Sequence, residues 1–533
     1  MKFRATVFIL GLTVAVISAP FPQSAEAAGT IGGVVKNQSG APVVGALVKV
    51  KHAERGVAVT VITQDGGRYQ AGNLMPGPYT VQSFGGGLQS TASSVEVADG
   101  RAVTFDVALT SPADFRKNAS MSEYATLMPE GEGKTIIVSL CTDCHDGGLQ
   151  EILYSRKNRD GWAATVQLMR KNPYGSVRSL DIAEQQVPVV LDYLAKHYGQ
   201  DAPALDLDKM PKTLVRGPSA KSMITEFDLP AGADAHDVAV DSNGIGWVSE
   251  GGHGVIGRLD PQTFAYRRIP IPGNKPGATA IEIDPQDRVW FGDSSQNRLV
   301  QYDPKTEQFT DYFLPKPPGG RANVNTIRFH PDGTVWATGI SSNQIFHLDP
   351  KTKEVAVYEV PAAAKMKINA TPYGMAIDAD NVVWFAERRT DKVAKVDPKT
   401  GQITEMDIPT KGAVLRRMQA DQDGNLWFGQ FGGVGKLAMI DYKTGKITEY
   451  PTPTKHSGAY SVDVDRTRNF IWVNEMMADQ IARFDPRSKT FVEYPIPTRN
   501  SSVRRIEVDP SRPNRVWFTG LHRDTVGFLD VVE

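Results

Sequence analysis

Three patterns of apolar and polar positions follow one another along the chain. Near the N-terminus, Lys2 and Arg4 precede an apolar run over 7–19, and Ala25-Glu26-Ala27 then offers small residues where a signal peptidase reads them. The run is 13 residues long, short of the roughly 20 that span a bilayer. It predicts an export signal over 1–27, with no membrane span after cleavage. In the second pattern, short β-branched runs at 31–35, 46–50 and 79–81 alternate with turn residues such as Asp65-Gly66-Gly67 and Pro76-Gly77-Pro78, which predicts a small β-sandwich over 28–112. Helical spacing then takes over. Trp162, Val166 and Met169 fall at i, i+4 and i+7, Asp181 with Glu184 forms a capping box, and 187–198 predicts a closing helix with Pro188 either in its first turn or kinking it.

The third pattern is a repeat. Seven of the eight Trp residues stand at 247, 290, 336, 384, 427, 472 and 517, at intervals of 43 to 48. Each is followed, 13 residues on or 14 in the fifth repeat, by an Asp: Asp260, Asp303, Asp349, Asp397, Asp441, Asp485 and Asp530. A period near 45 that holds four short strands predicts a seven-bladed propeller over 223–533, after a linker at 201–222. Too little chain follows Asp530 to form an outer strand, and the segment 224–230 reads as an outer strand with no blade before it, so the two are expected to close one blade together. The fold class is therefore multidomain and mainly β: an N-terminal β-sandwich, a small α-helical domain over 120–200 and a C-terminal seven-bladed β-propeller.

Composition narrows the partners. Lys and Arg (59) nearly cancel Asp and Glu (60), so no broad basic field exists for nucleic acid. Only two cysteines occur, in Cys141-Thr142-Asp143-Cys144-His145. Two thiols three apart can form thioethers to one haem, with His145 ligating its iron. A zinc site would need a second ligand pair, and a thioredoxin-like dithiol would need a βαβ setting; neither is present. One covalent haem c is expected, with Met169 as sixth iron ligand and His197 and Met210 as reserves.

Family resemblances join these readings. Gly33-Val34, Gly40-Ala41-Pro42, Gly45-Ala46 and the 74–79 segment resemble carboxypeptidase regulatory-like domains, which have a transthyretin-like or carbohydrate-binding-like fold. Cys141 to His145, Trp162, Met169 and the 193–199 segment resemble single-haem c-type cytochrome domains, and imply Met169 as ligand. Repeats such as the 423–429 and 445–450 segments resemble those of the virginiamycin B lyase (streptogramin lyase) family.

In a propeller, the starts of the inner strands and the ends of the second strands open on one face. Counting back five from each inner-strand Asp, or from His330 in the third blade, gives a ring of His236, Thr279, Asn325, Tyr373, Arg416, Tyr460 and Arg504. A second ring, three past each Trp, holds Glu250, Asp293, Gly339, Glu387, Gln430, Glu475 and Gly520. Such a mouth, with Tyr373, Arg416, Tyr460 and Arg504, suits a small polar or anionic ligand. Asp234, His236 and Glu250 place an imidazole between carboxylates, a group suited to a divalent ion and a base. The lyase resemblance implies the carboxylates on Mg2+ and His236 as base, with Asp234 shorter than the family's Glu and Arg504 where a second His is expected.

The leading expectation from sequence is a periplasmic or secreted c-type haem protein in electron transfer, whose propeller binds a substrate or a redox partner. The alternatives are a metal-dependent C–O lyase acting at His236 and Glu250, and a non-catalytic binding or scaffold protein.

Overall fold

The computed structural model describes residues 28–142, 148–171, 182–317, 320–433 and 435–532. The chain is mainly β and multidomain. The N-terminal unit is the expected sandwich. Strand Gly29–Asn37 pairs with Arg68–Leu74 in one sheet, while Leu47–His52, Val57–Ile62 and Gly77–Gly85 build the other. Ile31, Val35, Val48, Val50, Val81 and Leu109 are buried between them, as the alternation of inward and outward positions demands.

The propeller has seven four-stranded blades. Six are consecutive hairpin series, from Ala235–Val240 in blade 1 to Thr490–Pro495 in blade 6. Blade 7 takes Val503–Val508, Arg515–Gly520 and Thr525–Val531 from the C-terminus and its outer strand, Ser222–Asp228, from before blade 1. The closure read from sequence is the closure observed. Its outer edge is not left bare, however. Ser222–Asp228 also pairs antiparallel with Val57–Ile62, so the second sheet of the sandwich and blade 7 form one continuous sheet. Lys49 adds an ion pair to Glu226 at 3.1 Å across this seam. The sandwich thus covers an edge that would otherwise invite pairing with another chain.

In five blades the repeated Trp and the inner-strand Asp belong to one device. The indole nitrogens of Trp247, Trp290, Trp384, Trp427 and Trp517 donate to Asp241, Asp284, Asp378, Asp421 and Asp509 at 2.7–3.1 Å. The other oxygen of the Asp accepts turn amides, as Asp421 does from Asp423 and Asn425. A buried indole needs a partner for its N–H. The third blade has His330 in place of the Asp, and there Trp336 stacks on His347 at 4.1 Å. Trp427→Phe removes one such bond and leaves Asp421 short of a donor, so it should lower stability by about 1–2 kcal/mol in chemical denaturation. Equal stability of the two proteins would show that the indole–carboxylate bond adds nothing net.

Between sandwich and propeller lies a small helical unit. Met121–Thr126 starts from a capping box in which the Ser120 hydroxyl accepts from Glu123 N and the Glu123 carboxylate from Ser120 N. Gly148–Tyr154, Arg159–Arg170 and Val187–Tyr198 follow. Pro188 sits in the first turn of the closing helix, where its missing N–H costs nothing. Asp181 lies outside the described residues; Gln186 Oε1 accepts from Ala183 N at 3.1 Å.

Candidate functional site

In all seven blades the inner strand carries a β-bulge near its start. Register slips between Ala235 and Val238, between Leu415 and Met418, and between Val503 and Ile506. A bulge re-aims side chains, and here the paired residues within it, His236 with Asp237, Arg416 with Arg417 and Arg504 with Arg505, serve the channel together. Sequence reasoning found the first of each pair and missed the second, because strict alternation would send it away from the axis.

Arg417 ties the channel together. Its Nη2 donates to both Asp237 oxygens at 2.7 and 2.9 Å, its Nε to Arg504 O at 3.1 Å and its Nη1 to Asn325 O at 3.1 Å. Four blades thus meet on one guanidinium. Asp237 is fully buried, and burial alone would raise its pKa. Arg417, then His236, more than offset this and hold it down to about 2. His236 Nδ1 donates to Asp237 Oδ1 at 2.8 Å. An anionic Asp237 keeps the proton on Nδ1 and leaves Nε2 as the basic nitrogen. The histidine side chain keeps 20% of its surface exposed.

On the opposite side of the ring the residues are buried. Arg416 lies over the rings of Tyr373, Phe431 and Tyr460 at 4.7–5.3 Å. The Tyr373 and Tyr460 hydroxyls are hydrogen-bonded to each other, and Arg504 Nη1 donates to Tyr460 Oη at 3.3 Å. Burial, then Tyr460, pushes Tyr373 up to about 12, so it stays a neutral donor at neutral pH. Tyr373, Arg416, Tyr460 and Arg504 thus pack together, and His236 is linked to them through Asp237 and the Arg417 bond to Arg504 O.

The second ring behaves differently. Glu250, Asp293 and Gln430 turn between the strands and latch them. Glu250 is fully buried and accepts from Arg268 Nη2 at 2.9 Å, Tyr266 Oη at 2.6 Å and His253 Nδ1 at 3.1 Å. Asp293 holds Arg298 Nε at 3.0 Å, and Gln430 donates to Glu449 at 2.8 Å. This corrects the expected divalent site. Arg268 already neutralises Glu250, while Asp234 is an exposed residue at φ 51° whose N–H donates to Asp524. Among the described residues no group of three or more His, Cys, Asp or Glu is arranged to hold a metal ion.

In the helical unit, Cys141 ends the turn Ile137–Cys141 and is half-buried against an apolar cluster. Cys144 and His145 lie outside the described residues. Met169 is half-buried on Arg159–Arg170, whose buried residues are Trp162 and Val166; His197 is half-buried and the Met210 reserve is 3% exposed.

Comparisons with known proteins follow this division. The carboxypeptidase regulatory-like domain matches residues 30–110, and the virginiamycin B lyase family matches residues 264–532. No curated protein compared matches the chain. Among solved structures, virginiamycin B lyase from Staphylococcus aureus is 22% identical over 58% of this chain and 100% of its own, with TM-score 0.52. A streptogramin B lyase is 23% identical over 59% and 100%, with TM-score 0.53. A catalytically inactive His-to-Ala variant of the S. aureus enzyme with quinupristin is 22% identical over 58% and 100%, with TM-score 0.51. At such identities the likeness shows the propeller fold. The expectation of electron transfer as the main function is overturned: these matches point to the lyase-like alternative, and none of them points to a cytochrome c domain. By the family match over its propeller, the chain belongs to the virginiamycin B lyase family.

Proposed function

We propose that the chain is a carbon–oxygen lyase that works at the channel mouth with His236 as base, positioned by Asp237, and with Arg504 and Tyr460 facing the negative charge that develops as the proton leaves. The observation that carries this reading is the run His236–Asp237–Arg417. A buried, ionised Asp fixes the imidazole tautomer and stabilises the imidazolium that forms, while Arg417 keeps the Asp ionised. Arg504, bonded to Tyr460, supplies the positive charge that a divalent ion would supply elsewhere. The inactivity of the His-to-Ala relative supports a histidine-dependent reaction, and His236 is the one histidine at a ring position.

The reading is tested by incubating the full chain with a panel of esters bearing an acidic C–H β to the ester oxygen, a streptogramin B among them, and following the unsaturated product. At least one member should eliminate, and His236→Gln should slow it about a hundredfold. An unchanged rate in His236→Gln removes the assignment. Export by the N-terminal signal, to the periplasm or beyond the cell, belongs to the same proposal. So does a covalently attached haem on Cys141 and Cys144: the half-buried, apolar setting of Cys141 suits a thioether, and His145 would supply an iron ligand. Its check is the mass and haemochrome spectrum of the chain against Cys141→Ala.

A further inference from the structure

The sandwich, the helical unit and the propeller meet around one cleft. The helical unit is seated on blades 5 and 6, where Ser139 Oγ accepts from Gly433 N at 2.8 Å and Ser122 Oγ donates to His456 O at 2.7 Å. Between it, the sandwich and the outer strand of blade 6, Thr490–Pro495, lies a cavity of about 840 Å³. That is the size of pockets that take small organic ligands. Leu47, Phe84 and Leu88 of the sandwich, with Phe115, Leu214 and Phe491, give it an apolar lining, and its blade-6 wall carries Thr454, Gln480 and Glu493.

Blade 5 shows what such a wall holds when it is complete. The two blades share one register: Gln430 pairs with Lys436 and Lys436 with Pro451, as Glu475 pairs with Gln480 and Gln480 with Pro495. In blade 5, Lys436 Nζ donates to Glu449 Oε2 at 2.8 Å and to Thr410 Oγ1 at 2.6 Å, while Gln430 Nε2 donates to Glu449 Oε1 at 2.8 Å. Blade 6 keeps the acceptors and loses both donors. Glu493 stands where Glu449 does and accepts from Thr454 N at 2.8 Å and Thr454 Oγ1 at 3.0 Å, but Gln480 replaces Lys436 and Glu475 replaces Gln430. Glu475 is fully buried within hydrogen-bonding reach of Glu493, and among the described residues neither of its oxygens receives a donor. The single hydrogen of the Thr454 hydroxyl faces two acceptors, Glu493 Oε2 and Gln480 Oε1, the latter at 3.2 Å. Burial, then Glu493, raises the Glu475 pKa well above its ordinary value, so the two acids share a proton when no other cation is near.

We propose that this cleft binds a primary amine carried on an apolar body, with its ammonium taking the place that Lys436 Nζ holds in blade 5. Three acceptors, the Glu493 carboxylate, the Thr454 hydroxyl and the Gln480 amide oxygen, meet the three N–H donors of the ammonium. Glu475 adds a second carboxyl group beside Glu493, and the apolar lining takes the rest of the ligand. The cations along the cleft leave this corner to the ligand: Arg499 stands against the buried Asp479, and Lys455 and Arg216 are exposed. The site lies against the outer strand of blade 6, apart from the channel, and does not depend on the lyase reading.

Calorimetry of the full chain with hexylammonium tests this. Hexylammonium should bind at least tenfold more tightly than hexanol, which lacks the charge, and than hexyltrimethylammonium, which lacks the N–H donors. Gln480→Lys, which sets the blade-5 lysine in the site, should abolish hexylammonium binding, and Glu493→Gln should weaken it at least tenfold. If a variant does not fold, the comparison of the three probes still decides. Failure of hexylammonium to bind overturns the proposal and leaves Glu475 and Glu493 as a proton-sharing latch. Equal binding of either control probe overturns it too, since the ammonium would then contribute no specific bonds. So does binding that survives either substitution, which would place the amine elsewhere on the chain.

Discussion

Arg417→Met should destabilise the protein by about 4 kcal/mol, because it leaves the Asp237 carboxylate buried with its main countercharge gone. Asp237 has no exposed side-chain surface and Arg417 has 5%, so water cannot replace the lost partner. The variant should also change how stability depends on pH. In the wild type the Asp237 pKa is held near 2, below its ordinary 3.8. Its contribution is therefore fully present above pH 3.8 and is lost as pH falls through about 2. Without Arg417, burial dominates and the folded-state pKa rises above the unfolded one, so stability falls as pH rises through the new value. The double variant Arg417→Met, Asp237→Asn should recover much of the loss, since no buried charge remains. Chemical denaturation of wild type, single and double variants at pH 5 and pH 8 measures all of this. A single variant that costs less than about 1 kcal/mol, or a double variant no better than the single, would show that Arg417 is a spectator in the channel.

How much of this was legible in the sequence depends on the range of the interaction that decides it. The blades were legible because each is built within about 45 residues around one Trp, which in five of them bonds to an inner-strand Asp, as Trp427 does to Asp421. Blade 7 was legible because a missing outer strand and a surplus one are complementary. The ring was legible as positions but not as a working arrangement. His236 stood out, yet its partner Asp237 sits one residue on, at a place that regular alternation assigns to the opposite side; only the bulge brings both to the channel. Arg417 was hidden for the same reason. Glu250 misled because spacing from His236 says nothing of Arg268 and Tyr266, which come from the blade's outer strand and take up its charge. The pairing of Val57–Ile62 with Ser222–Asp228 and the seating of Ser122 and Ser139 on blades 5 and 6 join segments more than a hundred residues apart, and no local pattern encodes them.

Glu387→Gln should stabilise the protein at pH 8 while leaving it nearly unchanged at pH 4.5. Glu387 ends the second strand of blade 4 and is fully buried. Its Oε2 accepts from Thr390 Oγ1 at 2.5 Å. Burial raises its pKa most, Thr390 lowers it, and the nearby Glu405 raises it again, for a value of about 7 against an ordinary 4.5. Between these values the folded state binds more protons than the unfolded state, so stability falls as pH rises from about 4.5 to about 7 and is level above that as far as this group is concerned. The shift corresponds to a difference on the order of 3 kcal/mol between the protonated and ionised forms in the folded protein. Glutamine keeps an acceptor for Thr390 and carries no charge, so the variant should lack this part of the slope. Other buried acids, Asp479 with a pKa raised to about 6 and Glu507 to about 8, give both proteins a common background slope. The difference in denaturation midpoint between wild type and variant, followed from pH 4.5 to pH 8, isolates Glu387. A gap that widens with pH and then levels near pH 7 matches a buried acid that ionises at a cost. A gap independent of pH, or a variant less stable at pH 8, would mean that Glu387 serves blade 4 as a carboxylate.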